Sequence, residues 1–231
     1  MQLKEFIGTL ALLKREYPQW KAPVITFMAE NHATPFRILI STVLSLRTKD
    51  ETTTAASARL FAKVSTPGEM LSLPAKEIEK LIFPVGFYRV KARQILGICR
   101  TLLDQYEGEV PGRLDALLAM KGVGRKTANL VLAKGFNVPA ICVDTHVHRI
   151  SNRLGFVTTK TPEETEFALA AALPRRYWNR VNDLLVAFGQ TLCRPVGPKC
   201  RLCRVRQCPS RREKFLAVTT AQKTPGRQKT R

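Results

Sequence analysis

The sequence predicts an all-α fold, and three observations carry that prediction. Apolar residues recur at helical spacing along most of the chain. Two proline-capped starts, Thr66-Pro67-Gly68-Glu69 and Thr161-Pro162-Glu163-Glu164, each set a hydroxyl cap before a first-turn proline, with acidic residues following. The only strand-like run, Ala140 to Val143, is too short to build a sheet.

The elements follow in order. Leu3, Phe6, Ile7, Leu10 and Leu13 form one helical face, with Lys4, Glu5, Lys14 and Glu16 around them. This segment has neither the unbroken apolar run nor the small-residue cleavage site of a signal peptide, and no stretch approaches a membrane span. An intracellular setting is expected, in which the six cysteines are reduced or metal-bound rather than paired in disulfides. Asp50-Glu51-Thr52-Thr53 opens a further helix with Ala55, Ala56, Leu60 and Phe61 to pack. Between Tyr88 and Tyr106 the residues Ile95, Ile98, Leu102 and Leu103 keep the helical period. From about Val218 the composition turns to Thr, Gln, Lys, Arg and Gly, which reads as a solvated, disordered tail over 218–231.

Length and charge bound the function. The 231 residues suffice for one substantial core or two small ones sharing an interface, and 45% hydrophobic content argues against disorder as the default. Thirty-eight Lys and Arg against 18 Asp and Glu give a net charge of +20. Such an excess attracts polyanions, nucleic acid above all, with strong salt dependence. An anionic membrane surface is the rival, but it needs an amphipathic anchor or lipidation site, and neither is found.

The segment Arg113 to Lys134 reads as two helices around a hairpin. Leu114, Leu117 and Leu118 belong to the first; Leu130, Val131 and Leu132 belong to the second. Between them, Gly122 and Gly124 let the backbone of Lys121-Gly122-Val123-Gly124-Arg125 turn tightly and approach a ligand. The second helix starts there, so its free N–H groups suit a phosphate. A plain helix–helix turn is the alternative, and the basic residues Lys121, Arg125 and Lys126 shift the reading towards a DNA backbone. A cation at Lys126 opposes the dipole of its own helix, and Arg125 and Lys121 add repulsion. Both effects favour the neutral amine, the form that attacks carbon and builds a Schiff base. A phosphate-contacting lysine is the other role open to it.

Ile141 to Ile150 reads as an extended run feeding a helix, with Val147, Ile150 and Leu154 facing inward. Asp144 stands at the N-cap. A capping carboxylate is fixed in direction and favoured as the anion. It can therefore stabilise positive charge on a sugar ring or steer a proton from a nucleophile, as well as cap. Further on, Cys193, Cys200, Cys203 and Cys208 lie within sixteen residues as C-x6-C-x2-C-x4-C. Zinc sites usually come as two short knuckles with a longer spacer, so one compact loop fits a [4Fe–4S] cluster better. Arg194, Lys199, Arg201, Arg204, Arg206, Arg211 and Arg212 interleave with or follow these cysteines, either as a solvated surface or as a grip on phosphates. Cys99 and Cys142 sit in apolar surroundings and read as buried structural thiols.

In combination, Lys121-Gly122-Val123-Gly124-Arg125-Lys126-Thr127-Ala128, then Val143-Asp144-Thr145-His146, then the cysteine cluster, resemble endonuclease III, a family of helix-hairpin-helix DNA glycosylases. The likeness runs from about Pro35 to Cys208. It implies two helical domains flanking a DNA-binding cleft. One is a six-helix domain over 28–138; the other, an iron–sulfur domain, combines 1–27 with 139–231. It also implies a monomer that acts on double-stranded DNA containing damaged bases or abasic sites, removing an oxidised pyrimidine and then cutting the strand by β-elimination. Lys126 would be the nucleophile at the sugar C1′ and Asp144 the assisting carboxylate; adenine-mismatch glycosylases of the superfamily lack the lysine. The last cysteine gap is one residue shorter than the family's usual spacing.

The same resemblance assigns two loops to opening the duplex. In Ser45-Leu46-Arg47-Thr48-Lys49-Asp50, Arg47 replaces the family's usual glutamine and would fill the gap left by the extruded base. In Val85-Gly86-Phe87-Tyr88-Arg89-Val90-Lys91, Phe87 would wedge between base pairs and Lys91 would reach phosphate. An ordinary core aromatic is an equal reading for Phe87. His146 either lines the base pocket or bonds its helix neighbours. A glycosylase with a shifted range (mismatched thymine or uracil), hinted at by Arg47, and a non-catalytic DNA binder are the competing readings. The lysine–aspartate pair argues against the binder.

Overall fold

The computed structural model describes residues 1–211; the tail expected at 218–231 and Arg212 lie outside the described residues. Twelve α-helices run between Leu3 and Thr191: α1 (Leu3–Glu16), α2 (Val24–Glu30), α3 (Pro35–Ser45), α4 (Asp50–Phe61), α5 (Pro67–Ser72), α6 (Ala75–Ile82), α7 (Tyr88–Tyr106), α8 (Leu114–Ala119), α9 (Arg125–Gly135), α10 (Thr145–Arg153), α11 (Pro162–Ala172) and α12 (Trp178–Thr191). No strand occurs among the described residues.

Local chemistry sets the helix boundaries. Thr34, Thr66 and Thr161 each accept the backbone N–H three residues on and are followed by proline, which has no N–H to lose at that position. The stretch 28–138 was expected to hold six helices, yet α3 to α9 are seven. Pro74 cannot continue α5 and instead stands at the N-cap of α6, so two short helices lie where one longer one would otherwise run.

The helices bury two separate hydrophobic cores. The first gathers around α3, whose residues from Ile38 to Leu44 are all buried, with α7 and α9 packed against it. The second is built from α1, α10, α11 and α12, together with Val205. Val24 and Ile25 of α2 join the first core, so the chain changes core before residue 28, between α1 and α2.

The return crossing is the run Ala140 to Val143. It pairs with no other strand, and its side chains alternate between the cores. Ala140 and Cys142 enter the first, Ile141 and Val143 the second. Alternation is what an extended backbone imposes, so the strand-like pattern there records a chain threaded between two cores rather than a sheet. Polar contacts close the same seam. Asn182 donates to the Cys142 carbonyl at 3.0 Å, and Asp183 accepts from Thr26 at 2.7 Å and from Lys134 at 2.5 Å.

Candidate active site

A cleft of about 2000 Å³ lies where the two cores meet, and Arg47, Phe87, Lys91, Lys126, Asp144 and His146 all line it. These residues come from four distant segments, so the fold assembles what the sequence only enumerates. Lys121, Gly122, Val123 and Gly124 are not part of its lining.

Lys126 occupies the second position of α9, in the first turn after the hairpin. Among the described residues its amine makes no hydrogen bond and no ion pair. Asp144 caps α10 as expected, its Oδ1 accepting the N–H groups of His146 (2.9 Å) and Val147 (2.8 Å). Oδ2 has no protein donor among the described residues. The two charges converge on a common neighbour, Cys142, whose thiol reaches the Lys126 carbonyl at 3.5 Å. Burial pushes that thiol up to about 12; the positive Lys126 opposes the shift and the negative Asp144 reinforces it. Cys99 is likewise pushed up to about 12 by burial, so both thiols are the inert buried groups expected.

His146 lines the cleft and also bonds its helix neighbour: its Nδ1 lies 3.1 Å from Arg149 Nη2. Burial lowers its affinity for a proton, and Arg149 and Lys126 act in the same direction against Asp144 and Asp50. Gly189 on α12 makes room for this ring, since a Cβ there would lie 2.4 Å from Nδ1. Asp50 and Gln190 span the cleft with a 3.2 Å hydrogen bond. Neither was singled out from sequence, because each is an ordinary polar residue until the helices bring them together.

The hairpin splits by side chain. Gly122 adopts φ +89°, a glycine conformation, and its carbonyl accepts from Gln94 of α7 at 2.7 Å. Gly124 caps α9 with open space where a Cβ would be, and no side chain caps the helix, so its first N–H groups have no partner among the described residues. Lys121 is exposed.

Three expectations are corrected here. The Val123 side chain is buried in the first core, and its N–H closes the turn onto Met120, so neither is available to DNA. Arg125 binds Glu166 at 2.6 Å, lies 3.9 Å from Glu163 and stacks 5.0 Å from the Phe167 ring; its charge is spent across the seam rather than on phosphate or on Lys126. Lys91 is only 5% exposed, and its amine donates to the Leu44 carbonyl (2.8 Å), the Leu46 carbonyl (2.5 Å) and Thr48 Oγ1 (3.2 Å). Burial lowers it to about 8, while the carbonyls at the end of α3 favour the ammonium. Three donors meeting three acceptors leave nothing for a phosphate.

Phe87 is resolved the other way. It is 61% exposed, so the core reading fails. Both it and Arg47 adopt left-handed backbone, φ 58° and 54°, and the Arg47 guanidinium lies 5.7 Å from the Phe87 ring centre.

The cysteine loop follows α12. Cys193, Cys203 and Cys208 pack against the second core, and the Cys193 sulfur accepts from Arg153 Nη1 at 3.6 Å. Burial raises the Cys203 and Cys208 thiols; backbone hydrogen bonds from Val205 and from Arg211 and Ser210 oppose the rise, and the neighbouring Cys193 adds to it. Among the described residues no group of three His, Cys, Asp or Glu is arranged to hold a metal ion. The donor chemistry nonetheless suits a soft-metal centre. There are four half-buried thiols, no carboxylate between Cys193 and Cys208, and an arginine directed at one sulfur. Of the basic residues there, Arg204 pairs with Glu16 at 3.3 Å, Arg211 donates to the Cys203 carbonyl at 2.7 Å and Arg194 to the Gln190 carbonyl at 3.3 Å; Arg194, Lys199, Arg201, Arg204 and Arg206 are exposed. No helix among the described residues is long and apolar enough to cross a membrane.

Comparison with known proteins places the chain in a family. Residues 40–175 match the family described as HhH-GPD superfamily base excision DNA repair protein. Endonuclease III of Thermotoga maritima is 53% identical over 169 residues, 73% of this chain and 79% of that protein. A structure described as a trapped endonuclease III–DNA covalent intermediate superposes with a TM-score of 0.84 at 34% identity, covering 93% of this chain and 99% of the other. A thermostable thymine-DNA glycosylase shares the fold, with a TM-score of 0.78 at 24% identity over 91% of this chain and 98% of the other. The chain belongs to the HhH-GPD superfamily of base-excision DNA repair proteins.

Proposed function

We propose that this protein is a bifunctional DNA glycosylase and abasic-site lyase that removes oxidised pyrimidines. The observation that carries the reading is the placement on one cleft of a Lys126 amine with no partner among the described residues and a direction-fixed Asp144 carboxylate. The trapped covalent complex of the 34%-identical endonuclease III supports a covalent route. In the first step the Lys126 nitrogen bonds to C1′ as the glycosidic C1′–N bond breaks, its electron pair leaving with the base, which takes up a proton. Asp144 receives the proton released from the attacking amine and stabilises positive charge on the sugar. The ring opens to an imine, loss of a C2′ proton expels the 3′ phosphate, and water releases the enzyme.

The remaining residues bind and orient. Lys121 and the free N–H groups of α9 take up phosphate. Phe87 and Arg47 occupy the space of the extruded nucleotide. The two cores act as domains divided between α1 and α2 and again at Ala140 to Val143. Cys193, Cys200, Cys203 and Cys208 would hold a [4Fe–4S] cluster, which when bound ties the loop into a rigid basic surface. The site of action is the compartment that holds the DNA.

Borohydride trapping on duplexes carrying thymine glycol or an abasic site tests the mechanism. The expected result is a reduced covalent adduct that Lys126→Gln abolishes while DNA affinity persists. No adduct on either duplex, from protein with its cluster loaded, would overturn the lyase reading.

A further inference from the structure

The loop after α3 and the loop before α7 lie some forty residues apart in sequence, yet they share one set of polar contacts. Lys91 grips the first loop through the Leu44 and Leu46 carbonyls and Thr48 Oγ1. The Thr48 oxygen also accepts the Gly86 N–H of the second loop at 3.2 Å and donates to the Leu46 carbonyl at 3.2 Å. Gly86 permits the approach, since a Cβ there would sit 2.6 Å from the Arg47 carbonyl oxygen. The residues that project from this junction, Arg47 and Phe87, are both in left-handed backbone. Such conformations persist only where surrounding contacts over-determine them.

We propose that Lys91 and Thr48 are positioning residues that weld the two loops into a single wedge, so that Arg47 and Phe87 enter the duplex together. Two loops that moved independently would each have to be ordered as the base leaves the stack. A welded pair is ordered before DNA arrives, which lowers the cost of extrusion. Thr48 is the hub: one hydroxyl serves two loops and the buried amine, and valine keeps its shape while removing all three contacts.

This inference rests on the glycosylase reading, and the test separates the two. The full chain is mixed in stopped flow with a thymine glycol duplex bearing 2-aminopurine opposite the lesion, and strand cleavage is measured separately on a preformed abasic duplex. For Thr48→Val and Lys91→Met, base release is expected to fall roughly tenfold relative to abasic cleavage, the fluorescence rise slowing in step, with Thr48→Ser restoring both to within about twofold. Equal losses in both reactions, no loss, or failure of serine to rescue would overturn the proposal. If Lys91→Met does not fold, Thr48→Val decides. If the unmodified protein releases no base, the glycosylase reading fails; the fluorescence rise on binding then decides alone, and an unchanged rise in Thr48→Val overturns the weld.

Discussion

Arg125 binds Glu166 at 2.6 Å across the seam between the two cores, one residue before the amine assigned to catalysis. The partner raises the affinity of this guanidinium for its proton, chiefly through their shared hydrogen bond. A charge already neutralised within the protein releases no counterions when DNA binds. Arg125→Ala should therefore leave the salt dependence of DNA affinity unchanged, while Lys121→Ala should reduce the slope of log K against log salt by about one. Arg125→Ala should also destabilise the fold by about 1–2 kcal/mol, measured by denaturant unfolding, because a hydrogen-bonded ion pair is lost from the interface.

Asp144 combines a cap with a chemical role, and asparagine separates them. Asparagine retains the oxygen that accepts the His146 and Val147 N–H groups, so Asp144→Asn should fold with near-parental stability. Asp144→Ala should lose about 1 kcal/mol. Base release should fall at least roughly a hundredfold in both variants. A fully active asparagine variant would reduce Asp144 to a cap.

Phe87 projects from the surface and contributes little to either core. Phe87→Ala should change unfolding free energy by no more than about 0.5 kcal/mol, yet slow base release clearly in single-turnover assays. A large stability loss with normal turnover would return Phe87 to a structural role.

His146 gives a pH signature. Its folded-state pKa lies below the ordinary 6.5, first because of burial and then because of Arg149. As pH falls below 6.5, the unfolded ring takes up a proton before the folded one does. The stability its neutral ring contributes is therefore present above that pH and lost as pH falls towards the lower folded value. Thermal unfolding midpoints should drop less steeply with acidification in His146→Gln than in the parent. His32 and His148 remain in both proteins, so the difference between the two profiles isolates His146.

Much of this was legible along the chain. The threonine caps of α5 and α11, the glycines of the hairpin and the Asp144 cap depend on residues within three or four positions, and each stands as read. The burial of Lys91 is not legible because exposed and buried lysines look alike in sequence; even the acceptor closest to it along the chain, Thr48, lies 43 positions away. Arg125 was misread for the same reason, its partner lying 41 positions on.

What the sequence by itself determined is therefore what short-range chemistry dictates. That comprises the all-helical fold, the hairpin that opens α9 next to Lys126, the capping Asp144 and a four-thiol loop. The tertiary structure alone decided which of the many cations remain free. It spent Arg125 on Glu166 and Lys91 on three acceptors, and left Lys126, with no hydrogen-bond or ion-pair partner among the described residues, on the same cleft as Asp144. The reason is physical. A charge drawn out of water must find compensation wherever the packed chain supplies it, and that place is set by which helices meet rather than by which residues adjoin.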